Sequence, residues 1–558
     1  MKNYILLYSI LLLIIRYLNI ACSLDFHFLI KEIEKNIPIL TNFPVNDYKY
    51  IIIIDAGSSG SRIFVYKYYF IMPNSSNSLA ANNSKIKNDT FLSFSKSRYS
   101  QRLSIDYLKV ELAKDPDNMN KALVRKIMPG LSSFTNNATF SAEYLIKLID
   151  SVIVKIPLPK LQDTPLYIMA TAGMRLVSFK EQEAILKDCR HDIAIKYPQL
   201  VFPPSHIQII SGKMEGIYAW IAMNYMLGKF DRQANSTVGI LEMGGGSLQI
   251  AYEVPGNYSN FFLNNSENTS QIEEYARKII ANSIYQLDLS GRISNKTIKK
   301  AWNYGVYVTS LLGFGTNEII AMHKKSLILK HLQVINNTNI SGDSIQILDP
   351  CYPIGYKYKL LVHNWAQNDS TYKINVTGTG NFKLCHKSLL PMLKLDSECS
   401  LEPCSLSGLH DPIGFYAKLP NYTLLPKFYG ISEFWYSSHD ILGLGGLYNS
   451  TAFENKSTIY CATRFNPTSE TFKKYVLLNP TYSRNMIINQ CIKSVWIYTV
   501  LHDGFKFPKD QKIIESVLFI KGKEAHWTLG AIIYALLHDL SYSKSEESNH
   551  EKINTRNI

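Results

Sequence analysis

Two short stretches carry residue types suited to phosphoryl chemistry: Asp55-Ala-Gly-Ser-Ser-Gly-Ser-Arg62 and Glu242-Met-Gly-Gly-Gly-Ser-Leu-Gln249. In each, an acidic residue closes an apolar run and small residues follow at once. A strand that ends this way gathers backbone N–H groups around an anion, because glycine permits unusual dihedrals and close backbone approach. The acid itself repels phosphate, so the pattern calls for a divalent cation, held directly or through water, as the bridge. Two such loops predict two jaws around one polyphosphate. A third polar loop, Thr171-Ala-Gly-Met-Arg175, strengthens that reading.

Each feature also has a plainer explanation. Glu215 stands at an expected helix start, where a carboxylate complements the helix dipole. Ser247 and Gln249 alternate along a strand and would form a polar face, and Thr171 would serve as a turn residue. The aromatic run Phe434-Trp435-Tyr436 fits core packing as readily as a stacking platform.

The flanking segments must position these loops. Residues 50–54 form a continuous apolar run of strand length and residues 62–69 are rich in β-formers, so the loop at Asp55 joins two strands. Residues 73–90 read as an exposed insertion. Helical spacing covers 142–154 and 179–197, strands are expected at 166–170 and 207–210, and a helix at 216–227 is entered through Glu215. Residues 238–241 lead into the second glycine loop, with 248–253 as the return strand. Strand, acid, glycine loop and strand thus occur twice, and strands alternate with helices, which predicts an α/β protein built by duplication.

The chain has 558 residues, beyond the usual size of one hydrophobic core, so two domains are expected. Its net charge of +14 comes from singly scattered basic residues without a dense block, so nucleic-acid binding is not expected. Lys2, an apolar run over residues 4–15, Arg16 and a second apolar piece ending at Ala21-Cys-Ser23 read as a secretory signal. Cleavage and retention as a single N-terminal anchor both stay open. The tail after Leu540 is polar.

Sixteen Asn-X-Ser/Thr sequons, among them Asn74, Asn82, Asn137, Asn235, Asn268, Asn375 and Asn449, agree with a lumenal compartment. Cysteine usage agrees more strongly. Cys351, Cys385, Cys399, Cys404, Cys461 and Cys491 crowd the second half without metal-ligand spacing and read as disulfides. Sequence leaves their pairing open, Cys351–Cys385, Cys399–Cys404 and Cys461–Cys491 being the local choice. Cys189 stands apart and is expected to be a buried free thiol.

The ordered set of the two glycine loops, Ala170-Thr-Ala-Gly-Met-Arg175, and Gly212-Lys-Met-Glu-Gly-Ile-Tyr-Ala-Trp220 with Asn224-Tyr225 resembles the conserved regions of the nucleoside triphosphate diphosphohydrolases, the apyrases. The likeness runs from about residue 48 to 540. Tyr307-Val-Thr-Ser-Leu-Leu-Gly-Phe-Gly315, Leu348-Asp-Pro-Cys351, Phe428-Tyr-Gly-Ile-Ser-Glu-Phe-Trp-Tyr436, Gln490-Cys-Ile-Lys-Ser-Val-Trp496 and Trp527-Thr-Leu-Gly-Ala531 resemble its Golgi and lysosomal branch.

The resemblance implies two ribonuclease-H-like domains of the actin and sugar-kinase superfamily, with a nucleoside di- or triphosphate and Ca2+ or Mg2+ in the cleft between them. Domain I would span 48–204 with a return at about 520–541, domain II 205–519, and 542–558 a polar tail. Glu215 would be the general base, Ser247 and Gln249 would position water, and Asp55, Glu242 and Thr171 would hold the metal through its water shell. Ser58, Ser59, Gly60, Ser61, Arg62, Gly244, Gly245 and Gly246 would bind phosphates, and Trp435 and Tyr436 the base.

Two positions depart from the pattern: Glu242 stands where the family usually has Asp, and Gln490 where the cell-surface enzymes place a stacking aromatic. The expected service is clearing UDP or GDP in the Golgi lumen. A secreted or surface enzyme acting on extracellular ATP and ADP is the alternative within the class, and a non-catalytic nucleotide-binding protein the alternative outside it.

Overall fold

The computed structural model describes residues 48–70, 105, 108–230, 237–254, 284–290, 302–337, 346–364, 370–399, 404–409, 413, 425–466, 484–510 and 512–538. The N-terminal signal, the 73–90 insertion and the tail after Leu540 lie outside these residues, as do Asn74, Asn82, Asn235 and Asn268. Among the described residues, no helix is long and apolar enough to cross a membrane.

The first sheet is built from β1 (Lys49–Ala56), β2 (Ser61–Phe70), β3 (Leu108–Leu112), β4 (Val124–Ile127), β5 (Leu166–Ala170) and β6 (Ile207–Ile209). Its order is β3-β2-β1-β5-β6, with β4 also pairing β2. The hairpin β1–β2 is antiparallel, and β1–β5 and β5–β6 are parallel. Ile51 to Ile54 are buried throughout, which is why this strand reads as an unbroken apolar run. Helices α1 (Ser141–Ile153) and α2 (Phe179–Lys196) pack on each other. A capping box between Ser178 and Glu181 starts α2. The sheet extends past residue 204 to take in β6, and α3 (Gly212–Leu227) follows.

The second sheet repeats the plan. Strands β7 (Gly239–Met243), β8 (Ser247–Glu253), β9 (Ile284–Asp288) and β10 (Asn303–Leu312) enter it in order, and α4 (Thr316–Asn337) follows. A separate small sheet holds β11 (Gln346–Asp349), β12 (Lys357–Asn364) and β13 (Ser370–Gly378). The large sheet is completed by β14 (Phe428–Ser432), β15 (Gly446–Leu447) and β16 (Ile514–Ser516), giving the order β9-β10-β8-β7-β14-β16-β15. The hairpin β7–β8 is antiparallel, and β7–β14 and β14–β16 are parallel. Core strands 3-2-1-4-5 therefore occur twice with the same sense of pairing. Each ends in a helix, α3 after the first and α8 (Trp527–His538) after the second.

These two helices pack against each other at the centre of the molecule. A Cβ on Gly530 would lie 1.8 Å from the carbonyl oxygen of Tyr218, so only glycine admits this approach. One core joins the first sheet, α3, α8 and one face of the second sheet through Ile240, Ala251, Val306 and Ile431. The opposite face, with Leu241, Ile250, Tyr252 and Phe428, packs on α5 (Phe382–Leu389), α6 (Ser450–Cys461) and α7 (Gln490–Thr499). The alternation follows the period of two along each strand. Disulfides Cys351–Cys385, Cys399–Cys404 and Cys461–Cys491 lie in this second half, and Cys189 is a buried free thiol on α2.

Helix α3 begins at Gly212, four residues before its expected start. The Ser211 hydroxyl accepts from the Met214 N–H at 3.2 Å, a cap that apolar spacing does not register. Glu215 thus sits inside the first turn.

Candidate active site

The two hairpin loops meet. Gly57 N–H donates to the Gly60 carbonyl at 3.0 Å and Gly244 N–H to the Ser247 carbonyl at 3.0 Å, so both turns close on themselves. Thr171 N–H donates to the Ala56 carbonyl at 3.2 Å, tying the third loop to the first. None of Gly57, Gly60, Gly244, Gly245 and Gly246 adopts positive φ, so unusual dihedrals are not the reason for glycine here. Close approach is. A Cβ on Gly245 would lie 2.6 Å from Ser58 Oγ and 2.5 Å from Asn317 Nδ2, and one on Gly173 would lie 2.7 Å from Ser58 Cα. Asn317, at the start of α4, donates to Ser59 Oγ at 3.0 Å and bridges the two halves.

Glu215 is held from two sides. Arg175 Nη2 donates to its Oε2 at 2.9 Å and Gln249 Nε2 donates to the same oxygen at 3.1 Å. Arg175 Nη2 also reaches Ser247 Oγ at 3.1 Å and its Nη1 the Ile210 carbonyl at 2.9 Å, while Gln249 Nε2, whose two N–H groups are shared among three oxygens, also reaches Ser247 Oγ at 2.7 Å and Ser310 Oγ at 3.2 Å. Ser247 Oγ accepts twice, which fills its two lone pairs and leaves its O–H to be donated. Among the described residues no group donates to Glu215 Oε1. Burial pushes the Glu215 carboxyl up to about 7, opposed by the Arg175 charge and hydrogen bond and reinforced by Asp55. A group poised there exchanges protons near neutral pH, as a general base requires.

Glu242, next to last in β7, lies opposite Gln249. Its Oε1 accepts from the Ser432 hydroxyl at 3.4 Å, and its Oε2 is buried with no partner among the described residues. Burial first, then the charges of Glu215 and Asp55, raises this carboxyl well above the carboxylate range. An orphaned oxygen among three converging carboxylates fits a hard divalent cation, because a buried anion without a counter-charge is costly. Asp55, at the end of β1, faces His526 Nε2 at 3.5 Å.

The other expected site residues are already engaged by neighbouring groups. The Arg62 guanidinium pairs with Glu524 at 3.2 Å and bonds the Tyr436 hydroxyl, so its charge is already engaged and Tyr436 is held by its polar end. Ser61 is buried at the start of β2, its N–H donating to the Tyr144 hydroxyl at 3.2 Å and its Oγ without a partner among the described residues. Trp435 is half-buried and stacks one ring face on His439, with centroids 4.0 Å apart and planes at 13°. Gln490 is buried within a polar network: its Nε2 donates to Ser494 Oγ at 2.8 Å, and Ser437 donates to Glu433 Oε1 at 2.7 Å. Lys493 completes it by donating to Glu433 Oε2 at 2.9 Å. Gln490 is therefore part of the support beneath Trp435.

Sequence reasoning passed over Arg175, Ser310, Asn317, Ser432 and His526 as functional candidates. Arg175 closes the third polar loop and Ser310 lies in the run that starts at Tyr307, so both had a signal in the motifs. Ser432 lies in a motif too, but its strained backbone, φ 58° in a non-glycine residue, has no sequence signature.

A duplicated α/β fold with two glycine hairpins, converging carboxylates and a poised base defines a phosphoryl-transferring enzyme. The profile of the GDA1/CD39 (nucleoside phosphatase) family matches residues 43–548, and the chain belongs to that family. Mouse (Mus musculus) ectonucleoside triphosphate diphosphohydrolase 4 is 32% identical over 520 residues, covering 88% of this chain and 74% of that protein. The Caenorhabditis elegans nucleoside-diphosphatase mig-23 is 34% identical over 499 residues, covering 87% and 76%. Among solved structures, nucleoside triphosphate hydrolase from Neospora caninum superposes with a TM-score of 0.52 at 15% identity, covering 94% of this chain and 98% of that one, which shows the shared fold. The chain is thus an enzyme, a nucleoside phosphatase, with two ribonuclease-H-like halves and its site in the cleft between them.

Proposed function

We propose that the enzyme hydrolyses nucleoside tri- and diphosphates to nucleoside monophosphate and orthophosphate, with Glu215 as general base toward the attacking water. The observation that carries this reading is the fixing of Glu215 Oε2 by Arg175 and Gln249, with Oε1 left without a donor among the described residues. A water donating to Oε1 and accepting the free O–H of Ser247 keeps one lone pair for the terminal phosphorus. Ser58, Ser59, Gly60 and Gly244 to Gly246 bring hydroxyls and N–H groups to the phosphates, where they stabilise the charge of an in-line displacement. Asp55, Glu242 and Thr171 would hold Ca2+ or Mg2+ through its water shell, and the ion would neutralise phosphate charge. Trp435 offers the ring face away from His439 to the base.

The reading places the enzyme in the lumen of the secretory pathway, clearing UDP or GDP in the Golgi. Disulfides in the second half support an oxidising compartment, and the exposed sequon residues Asn137 and Asn449 are open to glycosylation. The names of the relatives, a nucleoside-diphosphatase among them, support diphosphate substrates.

Phosphate release from ATP, ADP, UTP, UDP, GTP and GDP with Ca2+, Mg2+ or chelator tests the proposal. Metal-dependent release, greatest from UDP or GDP, is expected. No release with any metal would leave a nucleotide-binding protein without turnover.

A further inference from the structure

We infer that His526 is a positioning residue for the cation site, acting through Asp55; this rests on the metal-holding role proposed above for Asp55. The fold duplication makes the position notable. Glu215 opens the helix that follows the fifth strand of the first half, and His526 directly precedes the helix that follows the fifth strand of the second half. The two helices are locked together at Gly530 and Tyr218. One helix start therefore brings Glu215 within electrostatic reach of Glu242, and the other brings His526 to Asp55. Each strand-end acid faces a residue from the opposite half.

The hydrogen bonds around the imidazole fix its tautomer. Thr528 N–H, which can only donate, reaches His526 Nδ1 at 3.3 Å. Nδ1 is thus the acceptor and Nε2 carries the proton. The Thr528 hydroxyl lies 3.0 Å from Nδ1 and 2.9 Å from the Tyr66 hydroxyl. A hydrogen-bonded chain thus runs from Tyr66 through Thr528 to His526.

The ring is clamped between Phe64, 4.4 Å between centroids, and Trp527, 5.7 Å. Its Nε2 lies 3.5 Å from Asp55 Oδ2, at ion-pair distance. Holding that oxygen leaves Oδ1 turned to the loop, where a Cβ on Gly57 would lie 3.8 Å away. An outer partner that orients a ligating carboxylate typically changes metal affinity or activity by about 10–100-fold.

The test is a Ca2+ titration of the purified full chain, free of nucleotide, read as the rise in melting temperature. Phosphate release is measured on the same preparations as metal KM and kcat. His526→Ala should raise the half-saturating Ca2+ concentration by about 10–100-fold. His526→Gln, which keeps an N–H of similar reach, should recover most of that loss, and Thr528→Val, which keeps the backbone N–H at Nδ1 but removes the hydroxyl beside it, should fall between.

Metal KM should move more than kcat. An unchanged Ca2+ midpoint in His526→Ala and Thr528→Val overturns the inference, as does a wild-type melting temperature that ignores Ca2+. Should wild type bind Ca2+ with the expected ranking of variants yet release no phosphate, the hydrolase reading falls and the role of His526 stands.

Discussion

Arg175 Nη2 lies 2.9 Å from Glu215 Oε2, and both side chains are largely buried. The guanidinium keeps the carboxylate ionisable in a site whose burial opposes ionisation. Removing the cation as Arg175→Met should therefore shift the acidic limb of the pH–rate profile upward from near 7 by about 1–3 units. A profile of kcat against pH for both proteins checks this. An unshifted limb would mean that Glu215 does not set it.

Glu242 contributes to stability with the opposite sign from a salt-bridged acid. Its folded pKa is raised, by burial and then by Glu215 and Asp55. Such a group stabilises the fold fully below its unfolded value, about 4.3, and that contribution is lost as pH rises through the folded value. In chelator, Glu242→Gln should gain stability relative to wild type over the pH range above the ordinary carboxylate value. Denaturation midpoints across that range measure the difference, and added Ca2+ should close it by stabilising wild type alone.

The loop contact at Gly245 leaves no room for a methyl group. Gly245→Ala places a Cβ against Ser58 Oγ and Asn317 Nδ2 and should part the two phosphate loops. Activity is expected to fall by about 10²-fold, as a displacement near 1 Å does at a reacting centre. Near-normal activity with an unchanged melting temperature would show that the loops stand further apart in solution.

The Lys493–Glu433 pair lies buried under the segment that carries Trp435. Lys493→Met strands the carboxylate and should cost about 3–5 kcal/mol, whereas Lys493→Met with Glu433→Gln should return most of it. Urea denaturation of the single and double variants measures the coupling. Equal losses in both would place the cost in packing instead.

How far the sequence carried can be judged residue by residue. The run Ile51 to Ile54 and the loop after it were legible because a strand buried on both faces and its glycines are both local. The same holds for Glu242 and its loop. Helix α3 was legible only from its apolar body, since its first turn depends on the Ser211 cap.

The partners of Arg62, Glu524 and Tyr436, were not legible because they lie hundreds of residues away. The same distance hid His526, whose relation to Asp55 exists only once the two halves close. Gln490 looked like a lost stacking residue, and only the fold shows it buried with Ser437 and Ser494. Local chemistry was readable, and cross-half contacts were not.

The central claim is that Glu215 takes the proton from water. Glu215→Gln keeps the volume and removes the base, so phosphate release and nucleotide binding should be measured side by side on one preparation. A fall in hydrolysis of about 10²–10⁴-fold with binding retained is the predicted result. Hydrolysis at the wild-type rate would contradict it.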